Sequence, residues 1–375
     1  MGLSKYKLGQ LIEMVTETNG ELKYKSADVK GMTITKEIIP TKANVNDSDL
    51  SKFLVVRPQD FIFNPRTHGK RIGFGFNNTE DSFIISWNNI AFRISKEGQK
   101  LILPTYLFLH FNRTEWDREA CFRSWGSSTE VFSWDALCEM TLDIPSIVIQ
   151  RKYVDIYNAM VANQQSYEHG LSDLKLTCDA YIEELRRVTA SEPIGKYLIQ
   201  SDERNTLNLT ADSVRGLSVT KEMTETKADM NGVSVDNYKI VPPRYIAYVA
   251  DTSRRGDKMS LGFNRSNETF LVSSISTVFK TDSRYLLPEF LMLYVCRDEF
   301  DRYARFHSWG SARETFDWEE MCNVQIPVPD IEIQKDIVNI YEAYLTRKGI
   351  NEKLKAQIKD ICPILIKGSI KEARK

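Results

Sequence analysis

Two short stretches carry side chains suited to gripping a polyanion. Arg66-Thr67-His68-Gly69-Lys70-Arg71 precedes one apolar strand, and Arg254-Arg255-Gly256-Asp257-Lys258 precedes another. Guanidinium and ammonium groups on loops can reach phosphate oxygens and the edges of guanine. A second kind of loop, Ser124-Trp125-Gly126-Ser127 and Ser308-Trp309-Gly310-Ser311, offers N–H and hydroxyl groups to phosphate, with Arg123, His307 and Arg313 beside it. With Arg265 added, the candidate set is Arg66, Lys70, Arg71, Arg123, Ser124, Ser127, Arg254, Arg255, Lys258, Arg265, Ser308 and Arg313. Solvated surface loops, and a structural turn around a buried tryptophan, account for the same residues without any ligand.

Catalysis finds less support. Asn64-Pro65-Arg66 starts like the Asn-Pro-Pro-aromatic motif of amino-methyltransferases, but the second proline and the stacking aromatic are missing. The matching place later in the chain is Val249-Ala250-Asp251. Gly73-Phe74-Gly75 lacks the third glycine of a dinucleotide fingerprint, and its counterpart is Ser260-Leu261-Gly262. Pro329-Asp330 with Glu332 and Lys335 suggests a nuclease metal site, yet the acid-to-lysine spacing is one residue too long. The first half offers only Ser146, Val148 and Arg151 there. Acids in the first turn of a helix are expected from its dipole. His68, His110, His169 and His307 show no metal-ligand spacing, and neither a nucleophile elbow nor a P-loop is present. The sequence is catalytically silent.

These loops sit in a duplicated frame. Ser124 to Tyr157 aligns without a gap on Ser308 to Tyr341, identical at 15 of 34 positions. In each copy the small-residue loop leads to an aromatic pair, Phe132/Trp134 or Phe316/Trp318. A short apolar strand then ends at Pro145 or Pro329, and Ile-x-Ile-Gln opens a long helix. Further upstream, Val29 to Glu37 matches Val214 to Glu222, and Gly75-Phe76-Asn77 matches Gly262-Phe263-Asn264. Phe83 to Ser86 matches Phe270 to Ser273, and Leu103-Pro104 matches Leu287-Pro288 at a helix start. The offset drifts only from 184 to 187, so insertions are loop-sized. The basic loops differ in detail while the frame is kept, as expected of two modules that read different targets on one scaffold.

After Pro145 the period becomes helical. Val154, Tyr157, Val161 and Gln164 begin an apolar seam, and Tyr167, Leu171, Leu174, Cys178, Tyr181 and Leu185 continue it after a repeated step of three. Gly170 is a weak point, and Ser191-Glu192-Pro193 ends the run. The second helix carries Val338, Tyr341, Leu345, Ile350, Leu354, Ile358 and Leu365, and Pro363 is expected to kink or end it. Packing the two seams against each other, antiparallel, would relate the copies by a pseudo-two-fold axis.

Composition sets bounds on these readings. At 375 residues, 42% hydrophobic and 27% charged, the chain can hold two ordinary globular domains. Its net charge of −1 argues against a non-specific coat on nucleic acid, so contacts must come from local clusters. No apolar run is long enough to span a bilayer and no signal-peptide core follows the start. Six cysteines without a CxxC pair fit buried thiols in a reducing compartment, the cytoplasm.

The twice-written order from Gly126 to Gln150 and from Gly310 to Gln334 resembles the specificity (S) subunit of Type I restriction–modification systems. That family commonly shows Pro-Pro-Leu-x-Glu-Gln at the helix start. Here the segments are Pro-Ser-Ile-Val-Ile-Gln and Pro-Asp-Ile-Glu-Ile-Gln, so the glutamine matches and the preceding glutamate does not. The resemblance implies an α+β fold with two similar target-recognition domains, separated by two long antiparallel helices in a pseudo-two-fold repeat. The boundaries would be residues 1–145 and 191–329 for the recognition domains, and 146–190 and 330–375 for the helices. It further implies a non-catalytic, cytoplasmic adaptor that binds double-stranded DNA, each repeat taking half of a bipartite target. The helices would dock two methyltransferase (M) subunits and set the spacer, with restriction (R) subunits outside them and no membrane contact. S-adenosylmethionine, ATP and magnesium would belong to those partners. The alternatives are a DNA-modifying or DNA-cleaving enzyme with a degenerate site in each repeat, or a repeat scaffold that binds no DNA.

Overall fold

The computed structural model describes residues 2–45, 47–68, 71–126, 130–252, 258–311 and 313–375, with only the backbone of His68. Two compact units divide the chain: Met1–Tyr167 with Ile350–Lys375, and Glu168–Gly349. Among the described residues no helix is long and apolar enough to cross a membrane.

Among the described residues, the first unit begins with nine strands. They are β1 (Ser4–Lys7), β2 (Ile12–Val15), β3 (Lys30–Met32), β4 (Ile38–Pro40), β5 (Leu54–Val56), β6 (Phe61–His68), β7 (Arg71–Phe76), β8 (Phe83–Ile85) and β9 (Ile90–Ile94). Helices α1 (Pro104–Phe111), α2 (Thr114–Phe122) and α3 (Trp134–Glu139) follow, then β10 (Thr141–Ile144) and the long helix α4 (Ile147–Val188). An antiparallel sheet has the order β2-β9-β6-β7, and β1–β10, β3–β4 and β5–β8 form separate pairs. Phe61, Ile62 and Phe63 are consecutive and all fully buried, which an alternating strand allows only when both faces are covered. Phe61 and Phe63 enter an aromatic cluster with Phe74, Phe92, Phe111 and Trp116, while Ile62 packs on the opposite face with Val56 and Ile85. Phe74 meets Phe111 tilted at 4.6 Å and Trp116 edge-on at 5.3 Å.

The second unit repeats this order strand for strand. It holds β11 (Ser191–Pro193), β12 (Leu198–Ser201), β13 (Arg215–Leu217), β14 (Met223–Glu225), β15 (Lys239–Val241), β16 (Ile246–Val249), β17 (Leu261–Phe263), β18 (Phe270–Val272) and β19 (Ser276–Thr281). Then come α5 (Pro288–Val295), α6 (Asp298–Phe306), α7 (Trp318–Asn323), β20 (Gln325–Pro327) and α8 (Ile331–Ala373). The main sheet is β12-β19-β16-β17, with β11–β20, β13–β14 and β15–β18 as pairs. Its core is less aromatic: Leu261, Val295 and Phe300 stand where the first unit has Phe74, Phe111 and Trp116.

Each unit takes half of each long helix. In the first, Lys152 meets Glu372 at 3.0 Å and Gln164 meets Asn351 at 2.9 Å, so the two segments run antiparallel. In the second, Ile182, Leu185 and Ile337 share the core, while Gly170 leaves room for the guanidinium of Arg347. The seam departs from the expected one at three places. Ile182 is buried where Tyr181 was expected, Asn351 is buried beside a more exposed Ile350, and Pro363 lies inside a helix that continues to Ala373. Leu365, Ile366 and Ser369 beyond the proline are all buried in the first unit, and this packing outweighs the one lost backbone bond. Helix α4 likewise runs unbroken through Gly170.

Two polar devices fix the helices and turns. Gln150 is fully buried; its amide donates to the carbonyls of Leu101 (2.7 Å) and Pro145 (2.8 Å), and its Oε1 accepts from Leu103 N–H (2.9 Å). Gln334 does the same with Tyr285 (2.7 Å), Pro329 (2.8 Å) and Leu287 N–H (2.9 Å). The glutamine of Ile-x-Ile-Gln is therefore a clamp between a long helix and the start of α1 or α5. In the other device, Lys36 (φ 67°) and Lys221 (φ 63°) adopt left-handed turns that aim their ammonium groups inward. Lys36 pairs with Asp117 at 2.9 Å and Lys221 pairs closely with Asp301. Burial holds both ammonium groups below the usual lysine range, against the pull of their aspartates.

Candidate nucleic-acid interface

At the end of β6 the chain loses its regular register with β7 between Phe63 and Thr67. Pro65 has no N–H to contribute, and the Asn64 side chain accepts from Arg66 N–H at 2.9 Å. The tempting Asn-Pro-Arg fragment is thus a bulge, and it re-aims the strand end. Thr67 N–H donates to Glu130 (3.1 Å) and Phe132 N–H donates to Pro65 (2.7 Å), which form an isolated antiparallel bridge at the end of β6. On its far side Val131 exchanges both backbone bonds with Trp125, at 3.0 and 3.1 Å. Arg66, Val131 and Trp125 therefore lie side by side on a small ribbon.

The second unit builds the same ribbon. Thr252 N–H donates to Glu314 (3.0 Å), Phe316 N–H to Ala250 (2.9 Å), and Thr315 exchanges two bonds with Trp309. Asp251, Thr315 and Trp309 lie where the first unit has Arg66, Val131 and Trp125. The turn is held from behind: the hydroxyls of Ser124 and Ser308 donate to Ala120 (2.8 Å) and Ala304 (2.6 Å), the carbonyls closing α2 and α6. Gly310 has φ 144°, and a Cβ there would meet the Arg313 carbonyl at 2.1 Å, so the turn requires glycine.

The candidate residues separate on this frame. Arg66 and Arg71 are exposed, at the end of β6 and the start of β7, and neither forms an ion pair among the described residues. Arg123 is bound to Glu119 at 2.9 Å, and Lys258 lies 3.7 Å from Asp298. Arg313 is exposed on the second ribbon's turn. Ser124 and Ser308 are buried with their protons already donated. Arg265 is not brought to the ribbon. It follows β17 at the end opposite Asp251, over the Phe263 ring at 4.9 Å and paired with Glu342 of α8. Lys70, Ser127, Arg254 and Arg255 lie outside the described residues.

The tryptophans of the small-residue loops are not buried. Trp125 is 79% exposed and Trp309 61%, and the neighbouring Phe122 and Phe306 are 83% and 75% exposed. The two phenylalanines escape a reading for basic residues, although their equal spacing from the shared tryptophan marks them as a repeated feature.

Residues with catalytic chemistry lie apart from one another. Lys335 pairs with Glu332 at 2.7 Å in the first turns of α8, and His307 lies 3.2 Å from Glu320. His110 is buried, which drives its imidazole well below the usual histidine range. Among the described residues no three His, Cys, Asp or Glu side chains gather as for a metal.

No protein-family model matches the chain, and no curated protein matches it. Among solved structures, the Type I restriction–modification system S subunit from M. genitalium is 10% identical with a TM-score of 0.57, over 98% of this chain and 96% of that one. This chain has the S-subunit fold. The HsdS subunit from Thermoanaerobacter tengcongensis matches at 13% identity over 98% of this chain and 96% of its own, with a TM-score of 0.37. With 98% of the chain covered, the likeness to the M. genitalium S-subunit fold takes in both strand-rich units and both long helices.

Proposed function

We propose that the chain is a non-catalytic specificity subunit of a Type I restriction–modification complex. Each unit takes one half of a bipartite DNA target, and the long helices dock two methyltransferase subunits and set the gap between half-sites. Restriction subunits join outside them, and the partners supply the S-adenosylmethionine and ATP chemistry. One observation carries this reading. The two units share a strand order and a ribbon, yet the residue at one ribbon position is Arg66 in the first and Asp251 in the second. A cation and an anion at equivalent places on one frame suit two different base patterns, since arginine donates to guanine and a carboxylate accepts from cytosine.

The test is to map methylated adenines in the host genome with the gene present and deleted. A bipartite motif that disappears on deletion supports the reading. A methylation pattern indifferent to the deletion, or loss of an uninterrupted motif, overturns it.

A further inference from the structure

We propose that Phe122 with Trp125, and Phe306 with Trp309, form the sequence-independent contact of each unit with duplex DNA, beside which the diverging ribbon residues discriminate bases. This rests on the DNA-binding function just proposed. Four large rings, each more than half exposed, occur at two equivalent pairs of positions. Scattered single apolar residues on a surface need no explanation, but an exposed aromatic pair built twice does.

The rings are presented rigidly. Each tryptophan is tied by two backbone bonds to Val131 or Thr315, and a serine bonded to the preceding helix anchors the turn. What surrounds them diverges: Arg66 against Asp251, Val131 against Thr315. A contact kept in both units cannot tell one half-site from the other, whereas the divergent neighbours can. Exposed cations stand on or beside each ribbon, Arg66 and Arg71 in the first unit and Arg313 in the second. An aromatic ring can pack on the sugars of the duplex backbone, which carry no sequence information.

The experiment selects bound sequences from a pool of random duplexes, using the full chain and its Trp125→Ala, Trp309→Ala, Trp125→Phe and Trp309→Phe variants. Each alanine variant is expected to bind every duplex about tenfold more weakly. The selected motif should be unchanged, and so should the slope of affinity against salt, because no phosphate contact is lost. The phenylalanine variants should keep most of the affinity. Alanine variants with wild-type affinity would overturn the proposal while leaving the DNA-binding reading intact, and would turn the rings over to a protein partner. A changed motif at one half-site would also overturn it, by making that tryptophan a base reader. Failure of the wild type to select any motif would sink the DNA-binding reading itself, and this proposal with it.

Discussion

Gln150 and Gln334 show what one buried side chain can organise. Each satisfies three backbone groups that would otherwise be orphaned where a long helix meets a shorter one. Gln150→Ala is expected to cost about 1–3 kcal/mol for each buried group left unpaired. Amide exchange at Leu103 is the direct readout, and an unchanged rate would mean another acceptor takes over. The buried lysines allow a second test. Because the folded pKa of Lys221 lies below 10.5, the unfolded chain holds the extra proton between the two values, and stability rises with pH across that window. Asp301 opposes the downward shift, so Asp301→Asn should widen the window and destabilise the fold by about 3–5 kcal/mol below it. Adding Lys221→Met should restore most of that stability and flatten the pH dependence, as followed by denaturant midpoints in an alkaline series. The shared glutamine and the Thr-Lys-Glu motif (Thr35 to Glu37, Thr220 to Glu222) were legible as repeats in the sequence. Their roles were not, because repetition marks a position without naming the carbonyl or carboxylate that awaits it.

At the scale of elements, periodicity served the helices well. Every seam residue named on α4 except Tyr181 is at least partly buried. The errors have physical causes: a heptad frame drifts from the natural helical period, which moves burial from Tyr181 to Ile182. An apolar seam selects Ile350 over its polar neighbour, whereas Asn351 is the buried one and accepts from the Gln164 amide at 2.9 Å. Replacing both Gln164 and Asn351 with leucine should raise the denaturant midpoint while loosening the register between the helices. A lower midpoint would show that the amide pair adds stability beyond its role in register. The exposed rings were missed for the opposite reason, since aromatic residues in a sequence suggest a core and only the fold shows which ones remain outside.

For the whole molecule, duplication was the most legible property, and the strand order of each unit follows it throughout. Under the proposed function the units should be separable. Replacing residues 191–329 with the equivalent domain of a relative should change one half-site and leave the other, as read by motif selection. Alteration of both would contradict independent units. The long helices pass between units at Tyr167/Glu168 and Gly349/Ile350. Four residues inserted at both places add about 6 Å, close to two base pairs of B-DNA. The same half-sites with a longer gap are expected, and an unchanged gap would assign the spacing to partner subunits.

The division of the chain also sets a timetable for synthesis. The second unit is one uninterrupted stretch, Glu168–Gly349, but the first needs Ile350–Lys375, whose Cys362, Leu365 and Ile366 lie in its core. As the ribosome moves from N- to C-terminus, the first unit must wait for residues made after the whole second unit, while the second unit can close ahead of it. Until then the aromatic cluster around Phe74 lacks one wall and is open to chaperones and proteases. A chain stopped after Gly349 should therefore yield a protease-resistant second unit and a first unit that is readily cut. The segment Ile350–Lys375 acts as a seal on a unit begun some 350 residues earlier.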